Sequence, residues 1–266
     1  MRVYSILLTI IFNFLLFLAC TNDAETKKAT SHQQSEFQEK KQSEHLKEPE
    51  KSEQFLKPES GKVKEFFRTY GEDHQESRVL LETRLGSIEL KLFSETPLHR
   101  ANFIYNIKQA LYYETIFYRV VPDFMIQGGN SDNDKTSEKR EKAGSYYIPN
   151  ESNEKLIHKK GSVAMAMSYD DNPDLKSAQY SYYIVIGTPF SEEALDAIEE
   201  EYAINIPPWA RGIYKTVGGT PHLDKKHTVF AEVTKGMDVV EAIANEKRDS
   251  GNWPVNDVVI SYKILD

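Results

Sequence analysis

The sequence predicts a mainly β fold, a closed antiparallel barrel whose open ends are plugged by helices. Many short apolar runs, several alternating with period two, lie between Val79 and Ile264. Apart from an insertion, two helical stretches are interleaved with them. With 39% apolar residues, fifteen Tyr and thirteen Phe among 266 residues, the chain can build a sizeable core over part of its length.

The elements follow in order. "GKVKEFFRTYG" fits a short helix packing Val63, Phe66 and Phe67 on the body. "RVLLETRLGSIELKLF" reads as a hairpin: a strand Val79–Thr83, a turn at Gly86, and a strand with Ile88, Leu90 and Leu92 on one face. "TPLHRANFIYNIKQALYY" opens like a helix, with Thr96 as N-cap and Pro97 at the first helical position. Phe103, Ile104, Ile107 and Leu111 then share one face. Short strands follow at Ile116–Val121, Met125–Gln127, Val163–Met167, Tyr180–Ile186 and Thr228–Val233. A second helix covers Met237–Asn245, and "DVVISYKIL" closes the chain as a strand.

Between Ser191 and Thr220 the pattern predicts an insertion, helical near 191–215. Ser191 is its expected N-cap, Leu195, Ile198 and Tyr202 share one side, and Pro207-Pro208 ends the helix. It is either an elaborated connection or a lid that guides substrate.

The N-terminal part differs in kind. One positive charge, Arg2, precedes an apolar run from Ile6 to Ala19, too short for an ordinary membrane span, and Cys20 follows. Phe17-Leu18-Ala19-Cys20 resembles the lipobox of a bacterial lipoprotein signal, with Phe17 where leucine is usual. The resemblance implies cleavage before Cys20, lipidation of that cysteine, and a domain anchored in the bacterial envelope on an extracytoplasmic side, periplasm-facing or at the cell surface. Losing Arg2 would take the formal charge from −8 to −9. Residues 20–61, rich in Glu, Lys, Gln and Ser, cannot bury enough apolar surface to order themselves and read as a flexible charged tether. The expected organisation is therefore a leader over 1–19, lipidated Cys20 with its tether to 61, and a folded domain over 62–266.

Charge and motifs narrow the chemistry. An acidic chain, pI about 5.5, with no basic stripe is a poor partner for nucleic acid. A single cysteine excludes an intrachain disulfide and a Cys-based metal site. GxSxG, P-loop, GxGxxG and HExxH motifs are absent, and the seven histidines lack ligand spacing, so no metal or cofactor is expected.

What remains is "FYRVVPDFMIQGGN", Phe117 to Asn130, where an arginine and a glutamine interrupt an apolar run. Period two puts Phe117, Arg119 and Val121 on one face. By itself the run allows two readings: an exposed arginine with its stem along Phe117, or a guanidinium placed for chemistry.

The run resembles the cyclophilin signature, a Phe, an aromatic or His, an Arg, then Phe-x-x-Gln-Gly-Gly. "TPLHRANF", "GSVAMAMS", "SYYIV" and "HLDKKHTVFAEVTKGMDVVEAI" are similar to further family segments in the same order, from about Val79 to Asp266. The resemblance implies an eight-stranded barrel with its site on the outer face, and peptidyl-prolyl cis/trans isomerisation of proline-containing polypeptides. It makes Arg119 the electrostatic catalyst and Gln127 its neighbour. Phe124, Met125, Tyr183 and Leu223 would line the proline pocket, Met165 and Ala166 would flank it, and His227 would stand at its edge. The expected oligomeric state is a monomer.

Three positions depart from the family pattern. Met167 stands where Asn is common, Ser181 where Gln is usual, and His222 where many members carry Trp. Gln179, on the face of Ser181, is the candidate replacement for the missing amide. Without the indole donor at His222 the chain is expected to bind cyclosporin weakly, and inhibition as tight as in sensitive cyclophilins would contradict that. Met167 and Ser181 also motivate an alternative, a peptide-binding or chaperone module with little turnover.

Overall fold

The computed structural model describes residues 56–266; the leader, Cys20 and the tether up to residue 55 lie outside the described residues. The described part is an eight-stranded barrel, closed in the order β1-β2-β7-β5-β6-β4-β3-β8 with every pairing antiparallel. The strands are β1 (Arg78–Thr83), β2 (Gly86–Leu92), β3 (Thr115–Val121), β4 (Met125–Asn130), β5 (Ser162–Met165), β6 (Tyr182–Val185), β7 (Val229–Lys235) and β8 (Val259–Ile264). Alternation does the sorting: Ile88, Leu90 and Leu92 of β2 point into the barrel with Val79 and Leu81 of β1, all at most 2% exposed.

Helix α1 (Val63–Asp73) packs on α2 (Pro97–Lys108), and α2 and α6 (Met237–Ala244) both bury apolar faces in the barrel core. The ring of Phe103 on α2 meets Tyr182 edge-on at 5.5 Å and Phe230 at 5.2 Å. The cap of α2 is not the expected one. Thr96 makes no capping bond; instead both carboxylate oxygens of Glu151 accept from the first free amides, Leu98 N at 3.1 Å and His99 N at 3.0 Å.

Two helices differ from the sequence reading. The charged run Asp134–Ala143 forms α3, with the Asn133 side chain accepting from Thr136 N and Gly144 closing it at φ 76°. In the insertion, α4 (Glu192–Tyr202) ends before the prolines, at Ala203 in the left-handed region, and Pro208 begins α5 (Pro208–Thr216). Pro208 thus starts a helix, the place where a missing N–H costs nothing. Leu195, Ile206, Ala210 and Tyr214 bury a small second core with Ile157. Arg211 binds α5 to α4 through Glu192, Asp196 and Glu199. Among the described residues no helix is long and apolar enough to cross a membrane.

Candidate active site

A bulge in β3 decides where Arg119 points. The β3–β4 register shifts at Phe117, so Phe117 pairs with Gly128 and Arg119 with Gln127, leaving Tyr118 as the extra residue. Phe117 is fully buried in the barrel and Arg119 is exposed on the outside. The expected shared face of Phe117 and Arg119 is therefore wrong: strict alternation cannot hold across an inserted residue.

Outside the barrel, cross-strand pairing sets a row of side chains. Arg119 lies opposite Gln127, Gln127 opposite Tyr183, and Tyr183 opposite Ala164. Directly paired residues have Cβ atoms about 4.5–5.5 Å apart, so Arg119, Gln127 and Tyr183 are neighbours. Arg119 forms no hydrogen bond or ion pair with any described residue, so its donors are free. Gln127 is held: its Nε2 donates to Ser181 Oγ at 3.0 Å, and Ser181 Oγ also bonds the Tyr118 hydroxyl at 2.6 Å. Ser181, short as it is, anchors the neighbouring amide. Gln179 does not take the missing side chain's place; it is buried ahead of β6 with Nε2 on the Tyr180 hydroxyl at 2.6 Å.

Beside this row lies an apolar patch. Met125, Tyr183 and Leu223 cluster with Ala164, Val185 and Val229, and the half-buried Phe124, Ala166 and Val121 pack against them. Met165, expected to flank the pocket, stands apart. Its side chain is fully buried in the main core, because it alternates with Ala164 on β5, and only its carbonyl reaches the site. That carbonyl accepts from His227 Nδ1 at 3.2 Å, and the Tyr169 hydroxyl donates to His227 Nε2 at 2.7 Å. His222 lies over Phe124 with ring centroids 6.0 Å apart and planes within 18°. Met167 is half-buried just past β5.

Tyr183 is tied from behind. His158 Nδ1 donates to Asp224 Oδ1 at 2.9 Å, so its Nε2 accepts from the Tyr183 hydroxyl at 3.0 Å. The Tyr214 hydroxyl, on α5, donates to Asp224 Oδ2 at 2.6 Å. Sequence reasoning passed over His158, Asp224 and Tyr214, because their partners are 10 to 66 residues away along the chain.

The glycines of β4 keep the strand in place. A Cβ on Gly128 would press on Phe117 and Ile260 at 3.0 and 3.1 Å. Gly129, at φ 97°, would drive one into the Tyr180 carbonyl. Arg140 of α3 locks the same region: it donates to the carbonyls of Leu111 and Gly129 at 2.8 Å and lies 4.0 Å over the Tyr180 ring.

Burial, with His158 adding to it, pushes His227 down to about 4 from an ordinary 6.5. It is thus neutral near pH 7 and cannot serve there as an acid. In the unfolded chain it takes up a proton near pH 6.5; in the folded protein only near 4. Stability therefore falls as pH drops through that window, by about 3 kcal/mol in all. Denaturation midpoints at pH 7 and pH 4.5 should separate by more in wild type than in His227→Gln; equal separations would show that His227 is not the group responsible. Among the described residues no cluster of three or more His, Cys, Asp or Glu could hold a metal ion.

A family model described as cyclophilin type peptidyl-prolyl cis-trans isomerase/CLD matches residues 78–263. The chain is similar to a peptidyl-prolyl cis-trans isomerase of Acinetobacter baylyi, 32% identical over 63% of this chain and 71% of the relative. Two crystal structures of a Cryptosporidium parvum cyclophilin type peptidyl-prolyl cis-trans isomerase share the fold. One has a TM-score of 0.52 at 19% identity and covers 72% of this chain and 98% of that one. The other, in the presence of the dipeptide Ala-Pro, has a TM-score of 0.51 at 18% identity and covers 71% and 99%.

Proposed function

The chain belongs to the cyclophilin-type peptidyl-prolyl cis-trans isomerase family, and on that premise we propose that Arg119 catalyses rotation of X–Pro bonds held on the neighbouring apolar patch. The observation that carries this is the exposed Arg119, unpaired among the described residues and directly opposite a Gln127 that Ser181 fixes.

The chemistry needs little else. Amide resonance sets a barrier of roughly 18–20 kcal/mol, and uncatalysed X–Pro exchange takes tens to hundreds of seconds. Twisting the bond breaks that resonance and returns a lone pair to the prolyl nitrogen. A guanidinium beside that nitrogen donates to the twisted amide better than to the planar one, lowering the barrier selectively. The proline ring rests on Met125, Tyr183, Leu223 and Phe124, which hold it still and exclude water while the preceding carbonyl swings. Gln127, held by Ser181 beside Arg119, orders the substrate backbone. No nucleophile or proton transfer is required, which suits a His227 that stays neutral.

A protease-coupled assay on an Ala-Pro peptide tests the reading. Wild type should accelerate exchange, and Arg119→Ala should lose most of that acceleration; equal rates in the two would defeat it.

The substrates we assign are extracytoplasmic proteins, reached by a monomer from a lipid anchor at Cys20 in the bacterial envelope. Support for this is the lipobox-like Phe17–Cys20 followed by a charged tether, read from sequence. In a bacterial host, Cys20→Ser should abolish incorporation of labelled fatty acid and shift the protein from membrane to soluble fractions. Unchanged labelling would overturn the anchor.

A further inference from the structure

The apolar patch does not stop at Phe124. His222, in the short 3-10 turn Pro221–Leu223, stacks on Phe124, with centroids 6.0 Å apart, and on Tyr202, 4.8 Å and 29°. Tyr202 is the last residue of α4, where the chain turns away through left-handed Ala203; it is 40% exposed, and the Lys226 ammonium lies 5.9 Å from its ring centroid. Three rings thus form a continuous aromatic shelf running outward from the proline site. Burial holds His222 below its ordinary range, so the middle ring is a neutral imidazole near neutral pH.

The shelf is held rigidly. Arg211 clamps α5 to α4, and Tyr214 of α5 reaches the Asp224–His158–Tyr183 chain behind the patch. Ordering of such rings before substrate arrives lowers the entropic cost of binding.

We propose that Tyr202 and His222 form a specificity subsite for an aromatic side chain on the residue that follows the substrate proline. The direction follows from β4. In the isomerase reading Gln127 and Arg119 face the amide before the proline, and Phe124 precedes Met125 in the chain where Gln127 follows it. The chain leaving the proline is thereby carried past Phe124 onto His222 and Tyr202. The insertion is a fixed wall of the substrate groove, and Tyr202 is its contact residue. This subsite rests on the isomerase reading of the patch.

Exchange NMR on two short peptides that differ only after the proline, Ala-Pro-Phe and Ala-Pro-Ala, tests it. In wild type kcat/KM should favour the Phe peptide about five- to tenfold, the size of an added aromatic contact. Tyr202→Ala should reduce the ratio to about twofold through KM, and Tyr202→Phe should restore it, since the ring and not the hydroxyl makes the contact. A ratio that Tyr202→Ala leaves unchanged overturns the subsite, including when both peptides slow equally. Titration of both peptides gives the same ratio in Kd without turnover. Absence of wild-type turnover on either peptide would therefore defeat the isomerase reading, while the Kd ratio still decides the subsite.

Discussion

Arg119→Ala should lower kcat/KM for an Ala-Pro peptide by about a hundred- to a thousandfold, with the fold and thermal midpoint unchanged. The magnitude is that of removing one donor aimed at developing charge, about 3–4 kcal/mol of barrier. Fold integrity is expected because the Arg119 side chain is exposed and bonds to no described residue, so its loss orphans nothing. Arg119→Lys should stay nearer to alanine than to wild type. An ammonium carries the charge but not the planar fork that can reach a rotating amide from one fixed position. The protease-coupled assay reads all three proteins, and a lysine variant at wild-type rate would show that charge alone suffices.

Gly129→Ala should be the costliest single change in the site region, about 4 kcal/mol or more. Two penalties combine: a side chain at φ 97°, and a Cβ inside contact distance of the Tyr180 carbonyl, which is backbone and cannot step aside. For a domain of this size that corresponds to a fall in Tm of about 10 °C or more. Gln127 lies two residues away on the same strand, so any surviving folded protein should also lose turnover as β4 shifts. Calorimetry checks the stability, and a Tm within about 2 °C of wild type would contradict the argument.

Much of this was legible in the sequence where one local rule dominated. Ile88, Leu90 and Leu92 alternate cleanly and lie inside the barrel. Pro97 opens α2 as expected. The grouping of Phe124, Met125, Ala166, Tyr183 and Leu223 came from the family resemblance, and their side chains pack in one patch. Other features escaped for physical reasons. The bulge at Tyr118 breaks the period on which a face assignment depends, so Phe117 and Arg119 were placed together. Met165, expected to flank the pocket, alternates with Ala164 and faces the core.

Helix α3 has almost no apolar residue to mark a face; its signals were the caps, Asn133 and Gly144. Pro208 reads as a stop in the sequence but starts a helix in the structure, because proline fits the end of one helix and the first turn of the next equally well. Glu151 caps α2 from 53 residues away, and Tyr214 reaches the site through Asp224 and His158, pairings no local pattern encodes. Ser181 shows the converse. As a departure from the family pattern it pointed to a weakened site, yet its hydroxyl is what fixes Gln127.

Arg119 acts on the twisting amide and not on binding, and exchange NMR on an Ala-Pro peptide separates the two in a single sample. It reads the peptide's Kd and the cis/trans exchange rate on the protein. Arg119→Ala should keep a Kd within about threefold of wild type and show an exchange rate down at least a hundredfold. An exchange rate that survives while Kd rises would contradict it, and would make Arg119 a binding residue.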